Sequence, residues 1–373
     1  MNISCRPVHH LSSLARVSRT ISTAIGPVSS SRCPLSTSSS PPPPTPRTTT
    51  GLLLHARATR PAAPLLFPAD RRRPSYRRRQ PNNNRTMATS QAVTASAGQR
   101  LAGKTILITG ASAGIGQACA LEFALAQPHD LRLILAARRI DTIREIAAAI
   151  TQQVGDGVKI LPLQLDVSKP DEVRAFVGQL PDEFKNIDVL INNANKADNP
   201  KSGGVRGVET AGNIAEADIN IMFDTNVTGL INVTQAVLPI FFARPDGGAG
   251  DIVNIGSIAG REPYAGGSIY CATKAAVRSF TDSLRRETIS TKIRVMEVDP
   301  GAVETEFSVV RFRGDKAKAD ATYAGMEPLT PQDIAEVIVF NVTRRQNVVV
   351  ADSLIFPTVQ AGVGPANMYR KTA

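Results

Sequence analysis

Tyr270 and Lys274 stand four residues apart in the string SIYCATK. On a helix that spacing puts both on one face, about one turn apart. A phenol has a reference pKa of ~10 and is a poor acid or base at neutral pH. A lysine ammonium beside it favours the phenolate. Tyr270 could then move a proton to or from a substrate oxygen. Ser257 closes an apolar run thirteen residues before Tyr270, where its hydroxyl could bond a substrate carbonyl or alcohol. Asn226, in FDTNVTG, falls inside an otherwise good helix, where asparagine usually costs stability or faces solvent. It could hold a water that links Lys274 to bulk solvent. Taken singly, each residue has an ordinary reading: tyrosines pack, lysines are solvated, serines cap turns. Their joint arrangement is much harder to explain by packing.

The string TGASAGIG (109–116) supplies a second piece of chemistry. Gly110, Gly114 and Gly116 have the spacing GxxxGxG, with Ser112 and Ile115 between them. Such a loop turns tightly, lets backbone approach a pyrophosphate, and aims the next helix's N–H groups at it. An ordinary glycine-rich turn is the alternative, weakened by the position between a first strand and a first helix. The second strand ends in Ala136-Ala137-Arg138-Arg139. NAD enzymes commonly carry an acid there for the ribose 2′-OH. Two guanidinium groups suit a 2′-phosphate instead, so the expectation is NADP; the alternative is that both arginines are solvated. Asp166 and Val167 would flank the adenine, and Asn193 and Ala194 the ribose and nicotinamide side. With a nicotinamide in place, Tyr270 would move the proton while hydride moves at carbon.

The elements that position these residues follow from periodicity. Strands are predicted at 104–110, 131–137, 159–166, 187–194, 251–257, 292–301 and near 348–356. Helices are predicted at 114–126, after Asp141, from Ser168-Lys169-Pro170, at 219–242, at 268–289 and near 331–343. Alternating strands and helices imply an α/β fold: a single Rossmann-type, doubly wound parallel sheet with helices on both faces.

The expected domains are a tail over residues 1–100 and the Rossmann domain over 101–373. Residues 1–86 hold 14 Arg, no Lys and one acid, Asp70, while the remainder holds 29 basic and 31 acidic groups. The net charge of +11 is therefore a property of the tail and does not point to a nucleic-acid partner. Proline, serine and arginine-rich sequence such as PPPPTP and two RRR triplets cannot bury a core. Leu14, Val17, Ile21 and Ile25 recur at helical spacing with Arg16 and Arg19 between them, which fits a mitochondrial transit peptide. A leader ahead of a true start at Met87 fits equally, and would make the protein cytoplasmic. A nuclear or nucleic-acid role for the triplets is a weaker third reading. Cys5, Cys33, Cys119 and Cys271 show no pairing or metal pattern, so a reducing compartment is expected. His129 is the only histidine beyond the tail, which argues against a Ser-His-Asp hydrolase or a His-ligated zinc enzyme. No metal is expected. No run of about 18 apolar residues occurs, so no membrane span is expected.

TGASAGIG, LDVS, NNA, the Asn226 helix, Ser257, YCATK and the PG at 300–301 together resemble the short-chain dehydrogenase/reductase family, over about residues 101–360. The resemblance implies an oxidoreductase with a nicotinamide cofactor and a catalytic tetrad of Asn226, Ser257, Tyr270 and Lys274. LILAARR, FDTNVTGLINVTQAVLP, DIVNIGSIAGREPYAGGSIYCATKAAV and PGAVETEFSVVRFRGD look like the NADP-dependent 3-hydroxy acid dehydrogenases, also described as serine or allo-threonine dehydrogenases. That subgroup oxidises the 3-hydroxyl of small acids or reduces the matching carbonyls, typically as homotetramers. The resemblance also implies that Pro300, Gly301, Val303 and Thr305 close over the nicotinamide amide and phosphates.

Two departures stand out. NNAG reads NNAN here, with Asn195 at the glycine position, where a left-handed backbone would suit asparagine. The following loop (196–213) is long and would lie at the mouth of the sheet, altering substrate range or serving as an inert insertion. A carboxylate substrate needs a cation; Arg311 is the first candidate and Arg261 the second. Two other readings stay open: a carbonyl reductase of a different small substrate, and a nucleotide-binding module without catalysis.

Overall fold

The computed structural model describes residues 97–195, 211–311 and 314–371. The helical spacing at 14–25, the arginine triplets and positions 196–210 of the long loop lie outside these residues. Aliphatic runs form seven strands: β1 (Lys104–Thr109), β2 (Leu131–Ala137), β3 (Val158–Gln164), β4 (Val189–Asn192), β5 (Ala249–Ile255), β6 (Lys292–Pro300) and β7 (Asp352–Ile355). All pair in parallel in the order β3-β2-β1-β4-β5-β6-β7. The strand order reverses direction between β1 and β4, which opens a crevice at their carboxyl ends.

Ten α-helices are described: α1 (Ala97–Leu101), α2 (Gly114–Ala126), α3 (Ile140–Val154), α4 (Pro170–Gln179), α5 (Glu216–Phe223), α6 (Leu230–Phe242), α7 (Ser268–Glu287), α8 (Glu306–Arg311), α9 (Lys316–Tyr323) and α10 (Pro331–Val342). Side chains alternate across each strand. Ile106, Ile108, Leu133 and Leu135 pack with Phe123, Ile143, Ile334 and Ile338 of α2, α3 and α10. Leu107, Ile134 and Ile252 pack on the opposite face with Phe176, Val233, Val237 and Leu284 of α4, α6 and α7. Both faces are covered, which is why the strands read as unbroken apolar runs.

Local chemistry sets the helix starts. Pro170, Asp171 and Glu172 occupy the first turn of α4. Thr330 and Asp333 close a capping box on α10. The domain includes residues ahead of 101. Leu101 is fully buried, Arg100 Nη1 donates to Thr343 O at 2.8 Å, and Gln127 Nε2 donates to Gly98 O at 2.6 Å.

Three elements differ from expectation. The helix expected over 219–242 starts at Glu216 and widens into a π-helical turn, Asp224–Gly229, between α5 and α6. A Cβ at Gly229 would come within 2.8 Å of Val167 O, so this turn lies close against the loop after β3. By length and composition the joined helix Glu216–Phe242 could cross a bilayer. Its Val233, Val237 and Phe241 are spent on the sheet instead. The segment after Thr305 carries α8 and α9, which the sequence reading did not anticipate. At the opposite end of the sheet from the crevice, Arg294 clasps Asp251 with Nε–Oδ1 and Nη2–Oδ2 distances of 2.7 and 2.6 Å. Nη2 also donates to Val342 O at 2.7 Å, tying β5 and β6 to the end of α10.

Candidate active site

β1 ends at the glycine loop. Gly110 and Gly114 have φ of +68° and +55°, values that favour residues without a Cβ. A Cβ at Gly116 would come within 2.5 Å of Asn193 Nδ2 and collide with Gly110 O. Gly116 is therefore a packing glycine, which lets α2 start against the end of β4. Asn193 Nδ2 donates to Thr109 O and Gly110 O at 3.0 and 3.2 Å and holds the loop from beneath.

An open cleft of about 810 Å³ lies above these strand ends. Of the residues singled out in the sequence, Gly110, Gly114, Ile115, Asn193, Ser257, Tyr270, Pro300, Gly301, Val303 and Thr305 line it. A neighbouring pocket of about 320 Å³ is lined by Arg138, Asp166, Val167 and Ala194 together with Gly110. Ser112 and Arg139 stand behind these walls. Arg139 Nη2 donates to Ser112 O at 3.1 Å and its Nε to Ser112 Oγ at 3.3 Å, so Arg139 braces the glycine loop. Arg138 is the member of the pair that faces the pocket.

Ser257 follows β5 directly. Its Oγ accepts from Ala259 N at 3.1 Å and caps the turn Ile258–Gly260. Its hydroxyl proton remains available to a ligand oxygen. α7 carries Tyr270 and Lys274 on one face, and Tyr270 is 8% exposed with its ring 5.7 Å from that of Phe307. Lys274 is 2% exposed; Nζ donates to Ile255 O at 2.8 Å and lies 5.8 Å from the centroid of the Tyr270 ring. Burial pulls the Lys274 ammonium down to about 8, against the opposing pull of Asp299 and Glu297.

Asn226 sits in the π turn, a deformation frequent at functional sites. Its Nδ2 donates to Thr273 Oγ1 at 3.3 Å, and Thr273 Oγ1 donates to Tyr270 O at 2.8 Å. Its Oδ1 is buried without a hydrogen-bond partner among the described residues. That atom is an acceptor of the kind a relay water would use. The π turn thus presents an asparagine to α7, which a regular helix interior does not need.

Several expectations change. Arg261 does not face a substrate: Nε donates to Asp299 Oδ2 at 2.7 Å and Nη2 pairs with Asp352. Its fork is spent on two carboxylates. Arg311 ends α8, whose first residues Glu306 and Phe307 line the cleft; its side chain lies outside what the structure describes. Asn195 needs no left-handed backbone, since Asp246 is the only non-glycine with positive φ among the described residues. Instead Asn195 lines both pockets, with a buried Oδ1 that has no partner there.

The sequence reading also missed Phe307, because it did not expect α8. It missed Glu297 and Asp299 on β6, which are 3% and 1% exposed. Their signal was two acids at alternate positions in an otherwise apolar strand, KIRVMEVDP.

The short chain dehydrogenase family model matches residues 104–315. An NADP-dependent 3-hydroxy acid dehydrogenase of Schizosaccharomyces pombe is 53% identical over 274 residues, 74% of this chain and 99% of that protein. Sulfoacetaldehyde reductase 2 of Chromohalobacter salexigens is 40% identical over 256 residues, 69% of this chain and 95% of that protein. The closed form of serine dehydrogenase complexed with NADP+ matches with a TM-score of 0.62 at 37% identity, covering 72% of this chain and 100% of that one. With a glycine loop, a buried lysine behind a tyrosine, and these relatives spanning the domain, the chain belongs to the short-chain dehydrogenase family.

Proposed function

We propose that the protein is an NADP-dependent dehydrogenase of small 3-hydroxy acids of the serine, allo-threonine and 3-hydroxypropanoate type. The observation that carries this reading is the meeting of Ser257 and Tyr270, backed by buried Lys274, in a cleft whose far wall is the glycine loop. The substrate class follows the relative at 53% identity.

The residues fit a dinucleotide. Gly110 and Gly114 leave the phosphate wall without side chains, Arg138 puts a cation in the adjoining pocket, and no acid ends β2. Asn195 Oδ1, Thr225 Oγ1 and Asn226 Oδ1 are buried acceptors lacking a partner among the described residues. When bound, the nicotinamide supplies the hydride acceptor or donor. Ser257 holds the substrate oxygen through its hydroxyl proton. Tyr270 Oη takes the proton from the alcohol, or returns it to the carbonyl oxygen. Lys274 favours the phenolate by its charge. Asn226 serves proton exchange with solvent through Oδ1. Arg311 is the proposed partner of the substrate carboxylate.

The test is an NADP+ reduction assay with L-serine, D-serine, allo-threonine and 3-hydroxypropanoate, with NADPH-linked reduction of sulfoacetaldehyde run beside it. Turnover of a 3-hydroxy acid with the highest kcat/KM supports the reading. Preference for sulfoacetaldehyde moves the protein to the reductase reading favoured by the second relative. No turnover of any substrate by folded, NADP-binding protein leaves the binding-module reading.

The proposed assembly is a homotetramer, with neither nucleic acid nor membrane as partner. Phe340 on α10 and Leu354 on the edge strand β7 are 50% and 43% exposed, apolar area that a second copy would cover. Light scattering gives the mass. The proposed location is cytoplasmic with a start at Met87, or mitochondrial with the N-terminal segment as a transit peptide.

A further inference from the structure

β6 carries Glu297 and Asp299 two residues apart, hence on the same face. That face meets Gly256, the residue between Ile255, which accepts from Lys274, and Ser257. A Cβ at position 256 would fall on Asp299 Oδ1 and within 2.6 Å of Glu297 Oε1. The two oxygens therefore flank one point directly behind the catalytic serine.

The surroundings separate the two acids. Asp299 Oδ2 receives Arg261 Nε at 2.7 Å and has Arg278 Nη1 at 3.9 Å. Those two arginines continue to Asp352 of β7, Arg278 at 3.7 Å. Asp299 is thus a compensated carboxylate on its Oδ2 side. Among the described residues no cation forms an ion pair with Glu297; the charge of Arg278, which pairs with Asp299 and Asp352, opposes its protonation but is outweighed by burial and by Asp299. Arg285 of α7 is turned to Val295 O, Ala351 O and Asp282. On β5, opposite Glu297, Asn254 is spent on Asn192 and Thr281. Glu297 Oε1 and Asp299 Oδ1 are both buried without a conventional donor. With both ionised, the two facing oxygens would set a second negative charge, out of water, against the already paired Asp299, which burial and like charge disfavour. One proton between them satisfies both orphan atoms at once.

We propose that Glu297 and Asp299 are a carboxylic acid–carboxylate pair holding one shared proton behind Ser257, and that they act as positioning residues setting the charge of Lys274. Glu297 O–H donates to Asp299 Oδ1, and the pair carries a single negative charge. Burial and the neighbouring Asp299 both push the Glu297 carboxyl up from the ordinary glutamate range. The same two carboxyls are the charges that oppose desolvation at Lys274. As pH rises, loss of the shared proton places a second negative charge near Lys274 and keeps the ammonium charged further into alkali. Lys274 supports the Tyr270 phenolate, so the pair extends the alkaline range over which the tyrosine acts.

The kinetic arm of the test rests on the dehydrogenase reading, whereas the spectroscopic arm needs no substrate. In the first, kcat for NADP-linked alcohol oxidation is followed with pH in wild type and Glu297→Gln. Glutamine mimics the protonated acid and cannot ionise. The wild-type to variant ratio is expected to grow by about tenfold between pH 6.5 and 9.5, equivalent to one unit in the Lys274 titration. A ratio constant with pH means a structural role only and overturns the proposal. In the second, infrared spectra of wild type with carboxyl-13C-labelled glutamate are taken across pH. A glutamate carbonyl band of the protonated acid is expected at pH 7, isotope-shifted by the label and fading in alkali. Its absence at pH 7 overturns the proposal, whether or not Glu297→Gln folds or any substrate turns over.

Discussion

Lys274 Nζ donates to Ile255 O at 2.8 Å, which ties the buried ammonium to β5 two residues before Ser257. The cation and the serine are therefore held by one strand end, and their separation is fixed by backbone rather than by side-chain packing. The distance from Nζ to the Tyr270 ring follows from the same anchor.

This anchor gives the first prediction. Lys274→Met removes the charge that favours the phenolate, so kcat falls by about 10²–10⁴-fold, the span usual for general acid–base groups. Lys274→Arg does not restore it, because a planar guanidinium cannot occupy the same fully buried site with one bond to Ile255 O. NADPH binding followed by fluorescence separates lost chemistry from lost folding. Variants that keep both binding and wild-type kcat refute the role.

Asn226 is joined to the tyrosine helix through Thr273. Asn226→Ala deletes both that bond and the buried Oδ1, so kcat is expected to fall by about 10²-fold with little change in the KM for NADP. Steady-state kinetics with each substrate varied give the split. An equal rise in both KM values with kcat preserved would assign Asn226 to packing.

Arg138 and Arg139 separate into different tasks. Arg138 lines the pocket beside the cleft, whereas Arg139 is bonded to Ser112. Arg138→Ala is expected to raise the KM for NADP by about tenfold or more while leaving that for NAD unchanged, since charge-assisted bonds to a phosphate are the stronger kind. Arg139→Ala loosens the glycine loop and weakens both cofactors. Identical NADP-to-NAD ratios in wild type and Arg138→Ala would remove the 2′-phosphate assignment.

Most of the scaffold was legible because apolar runs and glycine punctuation are local. α2 and β2 begin and end where periodicity put them, at 114–126 and 131–137. The same locality explains the misses. Arg261, the second cation candidate after Arg311, carries no local sign that its fork is taken, because the carboxylates that hold it, Asp299 and Asp352, lie far along the chain on other strands. The π turn at Asp224–Gly229 is invisible to a 3.6-residue pattern, since Leu230, Val233, Val237 and Phe241 resume the apolar stripe beyond it. Glu297 and Asp299 leave a sequence signal, two acids alternating in an apolar strand, but only the approach of Gly256 gives them a role.

Asp251 and Arg294 give a prediction about stability rather than rate. The pair is 5% and 4% exposed, bidentate, and lies at the end of the sheet away from the cleft. Asp251→Ala strands a buried guanidinium and is expected to cost about 3–5 kcal/mol. Chemical denaturation measures the loss, and kcat of the remaining folded fraction should match wild type. A loss under about 1 kcal/mol would mean that the carbonyls of Val342 and Val348 alone can hold Arg294.

The shared proton makes stability depend on pH in a defined direction. An ordinary glutamate releases its proton near 4.5, whereas Glu297 in the folded protein keeps its proton to higher pH. Between those values the folded state binds more protons than the unfolded chain, so stability falls as pH rises. Glu297→Gln has no such titration. The difference in Tm, variant minus wild type, is therefore expected to increase steadily from pH 5 to pH 7.5, a range that stays below the Lys274 value of about 8. Each kcal/mol gained should move Tm by about 2–4 °C in a domain of this size. Thermal melts at matched ionic strength give the comparison, and a difference that stays flat across the range would show that Glu297 ionises at its ordinary pH.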